Sequence, residues 1–182
     1  GNKYFGTDGF RGEANVGLTS DQAYKVGRFL GWYFSSPLSG FHAPYHRPRI
    51  VIGKDTRRSS YMIEYALAAG LTSSGADAYI LHVITTPGVA FVTRQDGFDC
   101  GIMITASHNP YHDNGIKFFG RDGTKLDDVA EARIEHAVLQ GEEPATLAER
   151  AGRTRALRGA ADDYVRELEL RFKDLDLSGT RI

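Results

Sequence analysis

RIVIGKDTRRSSYMIEYALAAGLTSSGADAYILHV, residues 49–83, holds two apolar strands with a helix between them. Arg49–Gly53 is a short apolar run of the kind a buried strand needs. It runs into a polar turn, KDTRRSS at 54–60. A helix follows over about 60–73, with Met62, Ala66, Leu67 and Leu71 predicted to face inward. Ala78–Val83 (AYILHV) is the next strand. The alternation continues on the C-terminal side: a TTP segment at 85–87, a short helix over about 87–94, and a strand at Cys100–Thr105. Strands alternating with helices predict an α/β fold. The expected form is a three-layer α/β/α sandwich around a mostly parallel mixed sheet.

On the N-terminal side, Ala23, Val26, Phe29, Leu30 and Tyr33 recur at helical spacing, so 20–35 reads as an amphipathic helix, with Thr19, Ser20 or Asp21 as its cap. Residues 1–18 read as loop. Pro37–Pro48 reads as a solvated excursion; its His42 and His46 lack a third candidate metal ligand nearby in sequence. Beyond the central strands, Gly115–Phe119 is apolar and β-friendly, and Leu126, Val129, Ala130, Ile134 and Val138 mark a helix over 126–139. GEEPATLAERAGRTRA reads as a polar connector, Ala160–Phe172 as a last helix, and Arg181–Ile182 as the opening of another strand. The domain reading is therefore one α/β/α domain over 1–158, with 159–182 as a connecting helix leading onward.

Composition narrows the function. The chain has 182 residues, 41% of them hydrophobic and 25% charged, which is ordinary globular material. Its formal net charge of −1 argues against a nucleic-acid or acidic-membrane partner. One cysteine, Cys100, permits no intrachain disulfide and fits a reducing, cytoplasmic compartment. No apolar run reaches membrane-spanning length. The 21 glycines hint at backbone-mediated anion binding.

In open α/β sheets, ligands collect beyond the carboxyl ends of parallel strands. KDTRRSS, TTP and TASHNP (105–110) are expected near such ends, and GTDGFRG (6–12) precedes the first helix. Ser107 is not in the G-x-S-x-G setting of a hydrolase elbow, and His108 beside it is expected to point away. Read alone, Ser107, Asn109 and Pro110 are equally compatible with simple turn punctuation. Lys117 and Arg11 tilt the reading. A cationic surrounding suits a phosphoserine, and arginine presents a fork matched to phosphate oxygens.

TASHNP at 105–110 with DNGIK at 113–117 resembles the phosphoserine loop of the α-D-phosphohexomutases, and GTDGFRG resembles their N-terminal active-site segment. The match extends through IGKDTRRSS (52–60), ALAAGL (66–71) and TTP. YFGTDGFRG with ASHNPYHDNGIKFF resembles the phosphoglucosamine mutase branch in particular. The resemblance implies an isomerase that interconverts glucosamine 6-phosphate and glucosamine 1-phosphate through a 1,6-bisphosphate, for amino-sugar synthesis. Phosphoglucomutase or phosphomannomutase activity, or a non-catalytic phosphosugar-binding module, are the alternatives. It implies Ser107 as phosphate carrier and Lys117 as acid/base or phosphate ligand. Arg11 would lie near the same phosphate, with His108 on the loop as catalyst or brace. Thr105, Asn109 and Asn114 are expected to shape the turn.

The resemblance also implies four domains and Mg2+, held by a D-G-D motif in the second domain and by the phosphate on Ser107. This chain contains no DGD and no G-E-x-S-G-H sugar loop. Gly141-Glu142-Glu143-Pro144 is not that loop, and Asp162-Asp163 reads as a solvated helix face. The chain is thus expected to be the first domain of a four-domain enzyme and inactive alone. Its expected partners are the hexosamine phosphate, its bisphosphate, the remaining domains and a second copy in a homodimer.

Overall fold

In the computed structural model, which describes residues 5–6, 9–36, 46–140 and 150–180, the first strand of the quoted stretch is β3 (Arg49–Lys54). Its side chains alternate between two apolar layers. Ile50 and Ile52 enter one core and Val51 the other. β3 runs parallel to β4 (Asp77–Val83) on one side and to β5 (Cys100–Ile104) on the other. The crossover helices take opposite faces. α2 (Ser59–Ser73) puts Ile63, Leu67 and Leu71 into the larger core, and α3 (Thr86–Gln95) puts Val89 and Val92 into the smaller one. Met62 and Ala66 only flank that face of α2; Ile63 is its centre.

The other half of the sheet is antiparallel. β6 (Asp113–Phe119) folds back along β5, β2 (Gly9–Glu13) pairs with β6, and β1 (Phe5–Gly6) pairs with β2. β7 (Thr154–Ala156) joins β4 in parallel at the far edge. The order is β1-β2-β6-β5-β3-β4-β7. This is the α/β fold on a mixed sheet that the sequence predicts, with parallel pairing confined to β5, β3, β4 and β7. Three strands differ from expectation: β1, a two-residue strand in the predicted N-terminal loop, β2 and β7. β2 lies where a loop is predicted, because only Phe10 of its five residues is a large apolar group and no period can register. β7 lies in the predicted connector, and all three of its residues are exposed.

α1 (Ser20–Ser35) starts at a capping box in which Thr19 and Gln22 each accept from the other's backbone N–H. It crosses α2 where both helices carry glycine. A Cβ on Gly70 would lie 2.2 Å from the Tyr24 carbonyl oxygen, and one on Gly27 2.4 Å from that of Leu67. α4 (Asp128–Gln140) adds Ala130, Ile134 and Val138 to the same layer, but Val129 is exposed, contrary to the predicted face. On the opposite layer α5 (Ala160–Arg171) meets α3 through Phe91 and Tyr164, whose ring centroids are 5.6 Å apart. His46 bonds to Asp99 rather than standing in solvent. His42, Gly141–Pro144 and Arg181–Ile182 lie outside the described residues. Among those described, no helix is long and apolar enough to cross a membrane.

Candidate functional site

β3 and β5 are parallel neighbours, so the polar segments that leave their carboxyl ends emerge side by side. The Asp55 N–H donates to the Ile104 carbonyl at 3.0 Å. Asp55 then ties the two segments together. Its Oδ1 accepts from the Arg57 N–H (3.0 Å) and the Ser60 hydroxyl (3.1 Å). Its Oδ2 accepts from the Thr105 hydroxyl (2.7 Å) and from Arg57 Nε (2.9 Å). Thr105 Oγ1 in turn accepts the Ser107 N–H at 3.0 Å. Asn114 donates to the hydroxyls of Ser59 (2.8 Å) and Ser60 (3.0 Å), which draws the start of β6 onto the first turn of α2.

Ser107 has φ of 56°, in the left-handed region. For a residue with a Cβ this costs roughly 1–2 kcal/mol, so the surroundings must hold it there. Arg57 supplies much of that hold. Its guanidinium donates to the carbonyls of Ser107 (2.8 Å), Asn109 (3.0 Å), Pro110 (2.6 Å) and Asp113 (3.2 Å). The Ser107 side chain is left exposed over an open cavity of about 630 Å3, lined also by Arg58, Thr105 and Tyr111. The left-handed turn brings Ser107 Oγ within 3.5 Å of His108 Nδ1. That corrects the expectation that the two side chains diverge, which assumed ordinary backbone at Ser107.

The cations come from the antiparallel half. Arg11 on β2 is registered opposite Gly115 on β6, and the Gly115 carbonyl accepts the Thr105 N–H at 3.0 Å. The stem of Arg11 crosses over Gly115. A Cβ there would come within 2.9 Å of Arg11 Cγ and 2.8 Å of the Thr105 carbonyl oxygen. Glycine in DNGIK therefore leaves room for the Arg11 stem over the sheet. Lys117, two residues on, shares that face of the sheet. It is half-buried and opens on a neighbouring cavity of about 180 Å3 with Gly9, Thr86, Phe119 and Glu131. In that cavity burial raises the Glu131 carboxyl above the usual carboxylate range, against the pull of Lys125. The hydrogen bond to Glu131 raises Lys125.

Ser107 and His108 thus share one loop, Arg11 lies across the sheet opposite Gly115, and Lys117 faces a separate cavity. Asp55 and Arg57 were not singled out by sequence, although KDTRRSS was placed at a strand end; their signal was the position of that segment, not any spacing. Among the described residues no group of three His, Cys, Asp or Glu side chains could hold a metal ion. Beneath the site, Lys54 and Glu64 form a buried ion pair at 2.7 Å that fastens α2 to β3.

Residues 2–145 match the family model described as phosphoglucomutase/phosphomannomutase, alpha/beta/alpha domain I. A phosphoglucosamine mutase from Lachnoclostridium phytofermentans is 60% identical over 142 residues, 78% of this chain and 30% of that protein. One from Rhizobium rhizogenes is 47% identical over 184 residues, 99% of this chain and 39% of that protein. A solved phosphoglucomutase/phosphomannomutase family protein from Burkholderia thailandensis superposes with a TM-score of 0.74 at 24% identity, covering 98% of this chain and 37% of that one. That likeness shows the fold. The chain spans about a third of the length of the relatives it matches.

Proposed function

The chain belongs to the phosphoglucomutase/phosphomannomutase family, of which it carries the α/β/α domain I, with the sequence of the phosphoglucosamine mutase branch, and on that premise we propose that it is the phosphoserine-bearing part of a mutase acting on glucosamine phosphate. The observation that carries the reading is Ser107. It is exposed, held in left-handed backbone, and set in a cavity with arginine on its wall.

In this reading Ser107 Oγ carries a phosphoryl group. The 1-hydroxyl of glucosamine 6-phosphate attacks it, the Oγ–P bond breaks, and a 1,6-bisphosphate forms. After the bisphosphate turns round, Ser107 Oγ takes the 6-phosphoryl group and glucosamine 1-phosphate leaves. A covalent carrier thereby splits one long-range transfer into two short ones. Arg11 is a fixed positive fork for the phosphate. Lys117 exchanges the proton of the attacking and leaving hydroxyl, and His108, close to Ser107 Oγ, braces the loop. Mg2+, when bound, would neutralise charge on the moving group. This chain would offer it only the oxygens of the Ser107 phosphate, with the other ligands in a further domain. Residues 1–158 would be the first domain and 159–182 the link to the second, turnover requiring both. The single buried cysteine is compatible with a cytoplasmic setting.

The test is intact-mass spectrometry of the full-length enzyme after incubation with Mg2+ and hexose 1,6-bisphosphate, with Ser107→Ala alongside. One covalent phosphate that maps to Ser107 and is missing from the variant is the expected result. A full-length wild-type enzyme that takes no phosphate would overturn the reading.

A further inference from the structure

We propose that Arg57 is the positioning residue of the Ser107 loop and not a phosphate ligand, although it lines the same cavity. An arginine side chain has five N–H donors. Arg57 uses Nε on Asp55, two N–H groups of one terminal nitrogen on Pro110 and Asp113, and two of the other on Ser107 and Asn109. All five point into protein, so none is left for a phosphate oxygen. Arg58, next in sequence and exposed over the same cavity, makes no side-chain hydrogen bond or ion pair among the described residues. The adjacent arginines are therefore divided in use. Arg57 is spent on four carbonyls, and Arg58 remains the cation the cavity can offer.

The four carbonyls belong to one turn, from Ser107 to Asp113. Gathering them around one planar group sets the curvature of that turn, and with it the direction of the Ser107 Cα–Cβ bond. Asp55 closes the arrangement. It accepts from Arg57 Nε and from the Thr105 hydroxyl whose oxygen receives the Ser107 N–H. Ser107 is thus held from its amide side by Thr105 and from its carbonyl side by Arg57. Lysine cannot replace this: it has the charge but offers three donors on a single nitrogen, and cannot span four carbonyls.

That difference supplies the test. The part of the inference that concerns transfer rests on the mutase reading above; the hold on the loop does not. Arg57→Lys and Arg57→Ala are compared with wild type in two measurements. In this chain, hydrogen exchange of the 105–113 amides should speed up in both variants, with Tm and circular dichroism confirming that the rest stays folded. In the full-length enzyme, kcat should fall by about 100-fold in both, as for a displaced reacting group. KM for the sugar phosphate should stay within about threefold. If Arg57→Ala does not fold, Arg57→Lys, which keeps stem and charge, decides alone. A lysine variant that retains wild-type kcat, or a rise in KM at unchanged kcat, makes Arg57 an electrostatic phosphate ligand and overturns the proposal. Unchanged exchange in the loop overturns it independently. If wild-type Ser107 accepts no phosphate, the mutase reading fails, and the exchange comparison still judges the hold on the loop.

Discussion

Ser107, Arg11 and Lys117 differ in what their chemistry permits. A serine hydroxyl on left-handed backbone is aimed by its main chain, and the network around Asp55 and Arg57 absorbs the strain. The Arg11 stem can lie over position 115 only because that residue has no side chain. Under the mutase reading Arg11 and Lys117 both serve a phosphate, yet only a lysine amine can give up and regain a proton. Lys117→Arg in the full-length enzyme should therefore lose most of kcat despite keeping its charge. Arg11→Lys should lose less, since charge survives and only the two-pronged geometry goes. The measurement is kcat for both variants across about pH 6–9, the range over which general acid–base catalysis is commonly read. If Lys117→Arg runs near wild type throughout, Lys117 is a phosphate ligand and another group moves the proton.

At the scale of elements, the site depends on how α2 is set against β3. Asn114 and Asp55 hold the first turn of the helix through Ser59 and Ser60, and one turn later Glu64 meets Lys54 in the core. Lys54 is 1% exposed, and its ammonium also lies 4.6 Å from the centre of the Tyr61 ring. Removing one partner of such a pair strands the other charge away from water. Lys54→Met should cost about 3–5 kcal/mol of stability, and Lys54→Met with Glu64→Leu should recover most of it. Urea denaturation of the single and double variants checks this. A double variant no more stable than the single would show that the pair is more than a compensated burial. The periodic parts of these elements were legible in sequence: β3, α2, β4, α3 and β5 carry enough apolar residues at period two or 3.6 to announce themselves. β2 and β7 carry too few. β2 is strand because β6 and β1 bond to it, and β7 because β4 offers it an edge.

At the scale of the whole molecule, two cores on opposite faces of one sheet leave Cys100 wholly buried. Burial, aided by the charge of neighbouring Asp99, pushes its thiol far above the ordinary cysteine range. Thiolate is the reactive form, so labelling by a thiol reagent at about pH 8, near the model cysteine pKa, should report global opening only. It should run at least about 10³-fold slower than in the urea-unfolded chain. Rapid labelling of the native protein would mean that the layer over Cys100 opens locally. Sequence by itself determined the α/β class, the strand-helix alternation and the polar segments that carry Ser107, His108, Arg11 and Lys117, because apolar periodicity and local motifs are properties of contiguous residues. Only the tertiary structure decided that half the sheet is antiparallel, that Gly115 makes room for the Arg11 stem, and that Lys117 opens on a separate cavity. It alone decided that all five donors of Arg57 close on a turn some fifty residues away. Strand order and cross-strand register join residues far apart in the chain, and hydrogen-bond saturation can be counted only once those partners are in place.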